Sequence, residues 1–138
     1  MRIIEKQLTN GENLVLLDTS ILIDYYRKTD KNNAVWLSLI RQEYDFAISV
    51  ITKYEIYSGA TSKQKSFWDS VFENIPVIPF DEDCADTSVA VNSALKRKRK
   101  QIALADLFIA STALTHNLPI ATLNRKHFER IMELVIVE

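Results

Sequence analysis

Asp106 is the only charged side chain in the stretch 102–114, which reads Ile-Ala-Leu-Ala-Asp-Leu-Phe-Ile-Ala-Ser-Thr-Ala-Leu. A helix apolar around most of its circumference is normally buried. An isolated ionised carboxylate in such a place is usually neutralised, paired or bound to a metal, and no lysine or arginine lies between Lys100 and Arg125 to pair with it. Three other oxygen-bearing side chains follow apolar runs: Asp18 after Leu14-Val-Leu-Leu17, Glu55 after Phe46-Ala-Ile-Ser-Val-Ile51, and Asn124 after Leu118-Pro-Ile-Ala-Thr-Leu123. Carboxylates gathered on one edge repel one another unless a cation intervenes, and an all-oxygen donor set favours Mg2+ or Mn2+ over zinc. Such an ion suits phosphodiester hydrolysis, because it polarises the phosphate, activates a water and steadies the leaving oxygen. The competing reading takes these acids as helix caps and surface charges; with 18 acidic residues in the chain, an isolated placement means little and the order Asp, Glu, Asp carries more weight.

The elements that must position these groups follow from the apolar pattern. Residues 14–17 read as a strand passing directly into a helix, with Thr19 or Ser20 able either to cap that helix or to orient Asp18 or a bound water. Helices are predicted over 33–43, 52–59, 63–74, from Asp81 towards the basic cluster, over 102–114 and over 125–132. Strands are predicted over 46–51, 76–80, 118–123 and 134–137. Short apolar strands alternating with helices predict an α/β fold with a mostly parallel sheet covered on both faces. In such sheets ligands collect beyond the carboxyl ends of the strands, where Asp18, Glu55 and Asn124 fall and which Asp106, one turn into its helix, would face.

Composition narrows the function. A chain of 138 residues suits one domain. The first thirteen residues are too polar for a secretory signal and no apolar run reaches a membrane span, so a cytoplasmic location is expected. Only Gly11 and Gly59 are glycines, which excludes a Walker loop and a dinucleotide fingerprint. Cys84 is the one cysteine and is expected to pack in the core; it excludes an internal disulfide and a cysteine-type zinc site. A net charge of −1 argues against coating nucleic acid by bulk electrostatics, although Lys96-Arg-Lys-Arg-Lys100 concentrates five cations that suit phosphates, an acidic partner or a solvated helix end. The aromatics Trp36, Trp68 and Phe72 are read as core or a partner surface. A phosphoacceptor receiver would need adjacent acids after the first strand, and a haloacid-dehalogenase-type phosphatase an aspartate where Ser20 stands. His116 and His127 fall at a helix end and in a polar turn, where capping or surface roles are expected.

Four blocks carry a family resemblance: Leu16-Leu-Asp-Thr-Ser-Ile-Leu-Ile-Asp24, Ser49-Val-Ile-Thr-Lys-Tyr-Glu-Ile-Tyr-Ser-Gly59, Leu104-Ala-Asp-Leu-Phe-Ile-Ala-Ser-Thr-Ala113 and Ala121-Thr-Leu-Asn-Arg-Lys-His-Phe128. In order and spacing they resemble the signature blocks of PIN-domain ribonucleases, specifically the toxins of VapBC toxin-antitoxin pairs. The resemblance implies an N-terminal extension over 1–13 and a single PIN domain over 14–138, built as a three-layer α/β/α sandwich. It also implies Mg2+ or Mn2+ dependence, cleavage of RNA, homodimerisation and inhibition by a cognate VapB-type antitoxin inserted in the active-site groove. Asp18, Glu55 and Asp106 match the metal-binding acids. Asn124 stands at a fourth position that many relatives fill with aspartate, and His127 where some have another acid. A catalytically weak PIN-fold module binding RNA or protein is the alternative that the missing fourth charge leaves open.

Overall fold

A computed structural model describes residues 13–137 of the chain, so the predicted 1–13 extension lies, apart from Asn13, outside the described residues. At its centre is β1 (Leu14–Leu17), whose four side chains are all buried, as expected of a strand covered on both faces. The remaining elements are α1 (Thr19–Arg27), a 3-10 turn (Lys31–Asn33), α2 (Val35–Arg41), β2 (Asp45–Ser49), α3 (Val50–Ser58) and α4 (Ser62–Phe72). They are followed by β3 (Val77–Ile78), α5 (Glu82–Arg97), α6 (Leu104–Thr115), β4 (Ile120–Ala121) and α7 (Arg125–Phe128). The sheet order is β3-β2-β1-β4 and every pairing is parallel, with Leu16 aligned to both Ala47 and Ile120.

Strand alternation divides the interior in two. Leu14 and Leu16 point to a core containing Leu95 of α5, Ile109, Ala110 and Ala113 of α6, and Phe128 of α7. Val15 and Leu17 point to the other core, with Ile21 and Leu22 of α1, Trp36 and Leu39 of α2, Ile56 of α3 and Trp68 of α4. The result is a three-layer α/β/α arrangement. Burying one such large apolar side chain contributes about 1.5–3 kcal/mol, so the two cores hold β1, and Asp18 after it, from both sides. Trp36 and Trp68 belong to this packing, 7% and 4% exposed, with Tyr25 meeting Trp36 edge-on at 5.0 Å. They form core, not a partner surface. Cys84 is buried, as expected.

Several boundaries differ from the sequence pattern for local reasons. β2 stops at Ser49 because its hydroxyl accepts the Thr52 N–H and caps α3, turning Val50 and Ile51 into helix. α2 is shorter than 33–43: a 3-10 turn capped by Asp30 precedes it, and Glu43 adopts φ 65° beyond its end. The last helix covers only Arg125–Phe128, and the predicted strand over 134–137 reduces to one parallel bridge between Ile136 and Ile120. α6 starts at Leu104, not Ile102, which moves Asp106 into the first helical turn. There a carboxylate is favoured by the exposed N–H groups and the helix dipole.

Candidate functional site

The carboxyl ends of β1 and β4 meet at Asp18. Its N–H donates to Ala121 O at 2.9 Å, fixing the end of one strand against the other. Asp18 is the N-cap residue of α1, yet its side chain makes no capping bond. Instead Oδ2 accepts the Ser20 hydroxyl at 2.6 Å and the Thr122 hydroxyl at 2.7 Å. Each hydroxyl is itself held by backbone: Ser20 Oγ accepts the Leu123 N–H at 3.0 Å, and Thr122 Oγ1 accepts the Asn124 N–H at 2.9 Å. Of the two uses open to Ser20 in the sequence, its hydroxyl is found on the Asp18 carboxylate. The carboxylate is 1% exposed. Burial pushes its pKa up, the Ser20 and Thr122 hydrogen bonds pull it down, and the nearby Asp106 charge pushes it up again.

Asp106 approaches from the first turn of α6, with its side chain 17% exposed. Its Oδ2 stands 3.1 Å from Nδ1 of His127 on α7, a contact that links the two helices across the strand end. Glu55 lies in the second turn of α3. Thr19 Oγ1 donates to Glu55 Oε1 at 2.6 Å and lies 3.1 Å from Thr52 Oγ1. The Thr19 hydroxyl is thus found on Glu55, not on Asp18 as the sequence allowed. Glu55 borders a recess of about 250 Å3 walled by Tyr26, Trp68 and Arg27. Asn124, at the N-cap of α7, is exposed and its side chain makes no capping bond.

The structure thus brings Asp18 and Asp106 into electrostatic contact, holds Glu55 on a hydroxyl of the neighbouring helix, and leaves the Asn124 side chain outside these bonds. Among the described residues no three His, Cys, Asp or Glu side chains are grouped closely enough to hold a metal ion. The donor chemistry nonetheless fits a hard divalent cation. Two carboxylates that repel each other, one of them buried, gain most from such a charge, and Mg2+ is commonly held by one or two carboxylates, with waters and substrate phosphate completing the shell. Sequence reasoning missed Thr122 and Thr52, and it gave His127 a surface or capping role and the place of an acid in some relatives, not the contact with Asp106. Thr122 had a weak signal, a hydroxyl two residues before Asn124 at the end of an apolar strand.

Comparison with known proteins adds a family. The PIN domain model matches residues 15–134, most of the chain. The chain is 34% identical over 131 residues to Ribonuclease VapC1 of Methanocaldococcus jannaschii, covering 94% of this chain and 90% of that protein. It is 32% identical over 132 residues to Ribonuclease VapC of Rickettsia bellii, covering 89% and 94%. Its fold superposes with a TM-score of 0.79 and 26% identity on a chain of the crystal structure of VapBC2 from Rickettsia felis bound to a promoter DNA fragment, covering 90% of this chain and 97% of that one.

Proposed function

Because this chain belongs to the PIN domain family, we propose that it is a metal-dependent endoribonuclease acting as the toxin of a toxin-antitoxin pair, with Asp18, Glu55 and Asp106 as its working acids. The observation that carries the reading is the buried Asp18 carboxylate, held by two backbone-anchored hydroxyls and charge-repelled by Asp106. Relatives named Ribonuclease VapC, similar over nearly their whole length, support RNA as the substrate. The VapBC complex among the structural neighbours supports an antitoxin of the VapB type as partner.

Asp18 and Asp106 would hold Mg2+ or Mn2+, with Asn124 able to add a carbonyl oxygen. When bound, the ion supplies Lewis-acid activation of the phosphodiester and of the attacking water. The chain supplies the rest. Ser20 and Thr122 keep Oδ2 of Asp18 fixed, so that little reorientation is left for the reacting complex. Thr19 fixes Oε1 of Glu55 and leaves Oε2 to accept a proton from the water or to bind a water on the ion. His127 restrains Asp106 through Nδ1. The recess beside Glu55, with aromatic walls from Tyr26 and Trp68, supports an antitoxin segment seated next to the acids. Homodimerisation and a cytoplasmic location complete the proposal; among the described residues no helix is long and apolar enough to cross a membrane.

The test compares purified wild type with Asp106→Asn on structured RNA, with Mg2+ or with EDTA. Cleavage by the wild type in Mg2+ alone is expected. Equal cleavage by both proteins, or cleavage indifferent to EDTA, overturns the assignment, and no cleavage under any condition favours the binding module.

A further inference from the structure

The run Lys96–Lys100 has no part in the site described above, and the fold divides it. Lys96 and Arg97 close the last turn of α5, where cations suit the helix C-terminus. Arg99 and Lys100 leave the helix and turn towards α7. There they line an open recess of about 390 Å3 with Lys126, Glu129 and Arg130. Four cations against one acid make this a concentrated positive surface on a chain whose net charge is −1. It neighbours Asp106 along the chain: Lys126 precedes His127, whose ring bonds Asp106, and the 98–103 loop leads into the helical turn that carries Asp106.

One detail argues that the recess is built and not a chance meeting of solvated side chains. Arg130 Nη1 donates to Gln101 O at 3.0 Å and to Lys100 O at 3.5 Å, so one cation is spent holding the loop that presents the others. Arg99 terminates α5 at φ 56°, with its N–H bonded to Lys96 O and the next N–H bonded to Leu95 O at 2.9 Å. This is the Schellman position that glycine normally fills, and a non-glycine residue in the left-handed region costs roughly 1–2 kcal/mol. Glu43 and Asn117 also adopt positive φ, at 65° and 56°, so it is the Arg130 bonds that tie the loop to the recess.

We infer that Arg99, Lys100 and Lys126 form a phosphate-binding subsite that grips the RNA backbone beside the scissile position. The inference rests on the ribonuclease reading and deepens it. Single-stranded RNA carries a charge per nucleotide, so a strand crossing Asp18 and Asp106 must offset their repulsion with cations close by, and the 99–100 loop with α7 provides such cations. Contacts of this kind hold any sequence and reveal themselves through salt dependence. Arg130 acts as a positioning residue.

The test measures anisotropy of a short fluorescein-labelled single-stranded RNA of mixed sequence, in EDTA, across a potassium chloride series. Each phosphate that the protein ceases to neutralise flattens the slope of log K against log salt by about 0.7, so Lys100→Ala/Lys126→Ala flattens it by about 1.4. Lys126→Arg keeps the slope. Arg99→Gly separates binding from structure: its thermal midpoint holds or rises as the strained position relaxes, while the salt slope still falls. An unchanged slope in both the double variant and Arg99→Gly overturns the subsite. So does tighter binding of a labelled polyglutamate peptide than of the RNA with the RNA slope unmoved, which assigns the patch to an acidic protein. Wild-type cleavage in Mg2+ is read in parallel. Cleavage with an unmoved slope removes the subsite and leaves the ribonuclease; a fallen slope without cleavage keeps the subsite and removes the hydrolysis.

Discussion

Asp18 and Asp106 face each other across the end of the sheet, and their surroundings are opposite. Asp106 stands in the first turn of a helix, partly solvated, with a histidine 3.1 Å away. Asp18 is buried between two strand ends, where the Ser20 and Thr122 hydroxyls meet it. In sequence the roles look reversed, since Asp106 is the lone charge in an apolar run and Asp18 sits where an ordinary helix cap belongs. The comparison teaches that the cost of a charge is set by where its helix starts and what closes over it, not by the hydropathy of its neighbours in the chain. Asp18 carries most of the desolvation, so it is the residue whose ionised form gains most from a bound cation.

The largest effects should come from neutralising either acid, and stability should tell the two apart. Both Asp18→Asn and Asp106→Asn are expected to lower RNA cleavage by at least about 100-fold, the scale of removing a ligand from a metal that supplies several kcal/mol. In EDTA, urea unfolding should show Asp18→Asn more stable than wild type and Asp106→Asn equal or slightly weaker, since the latter loses a favourable helix-end charge. The first difference depends on pH. Burial raises the Asp18 carboxyl above its ordinary value. The stability it contributes is therefore full in acid, below the ordinary carboxylate range, and is lost as pH rises through the raised value. The advantage of Asp18→Asn should be absent in acid and grow towards neutrality. Added Mn2+ should raise the thermal midpoint of wild type and not that of Asp18→Asn; equal shifts in both would remove Asp18 from the metal site.

Next in size is Thr122→Val, which keeps the volume and deletes one of the two hydroxyls on Oδ2 of Asp18. Outer hydroxyls of this sort are worth about 10–100-fold in metal affinity or activity, and calorimetry with Mn2+ reads the loss directly. An unchanged affinity would mean that Ser20 alone orients the carboxylate. Thr19→Val probes the other acid. It removes the 2.6 Å bond to Glu55, which is half-buried and can rehydrate, so a smaller fall in kcat/KM of about 2- to 10-fold is expected.

The contrast between the two acids also marks what can be read along the chain. β1 is legible because four apolar residues in a row admit few arrangements other than a doubly covered strand, and its register then places Asp18 at the sheet end. Asp81 as the cap of α5 is legible because a cap acts over three residues, here Asp81 Oδ1 accepting the Cys84 N–H. The start of α6 is not: Ala103 caps it with extended backbone and no side-chain bond, leaving no residue type to betray the boundary, so the apolar pattern sets Asp106 deeper in the helix than it lies. Thr122 escapes notice because its partner lies 104 residues away and threonine in an apolar strand reads as a strand former. The tryptophans stay open between core and surface in the sequence because helical spacing alone does not say which face of α2 or α4 the sheet will cover.

The smallest expected effect belongs to His127→Ala, and it decides whether the solvated half of the comparison is chemistry or support. The ring is 47% exposed, so the pair it makes with Asp106 is screened and worth at most about 1 kcal/mol. If His127 only restrains Asp106, kcat/KM should fall less than about 5-fold, with an unaltered pH profile, and His127→Gln should recover most of the loss by donating from its amide. A larger loss that glutamine does not repair, with a changed pH profile, would mean that the imidazole exchanges a proton during the reaction. Asp106 would then be one half of an acid-histidine pair, and the asymmetry between the two aspartates would be one of task as well as of burial: Asp18 to hold the ion, Asp106 to set the state of the histidine beside it.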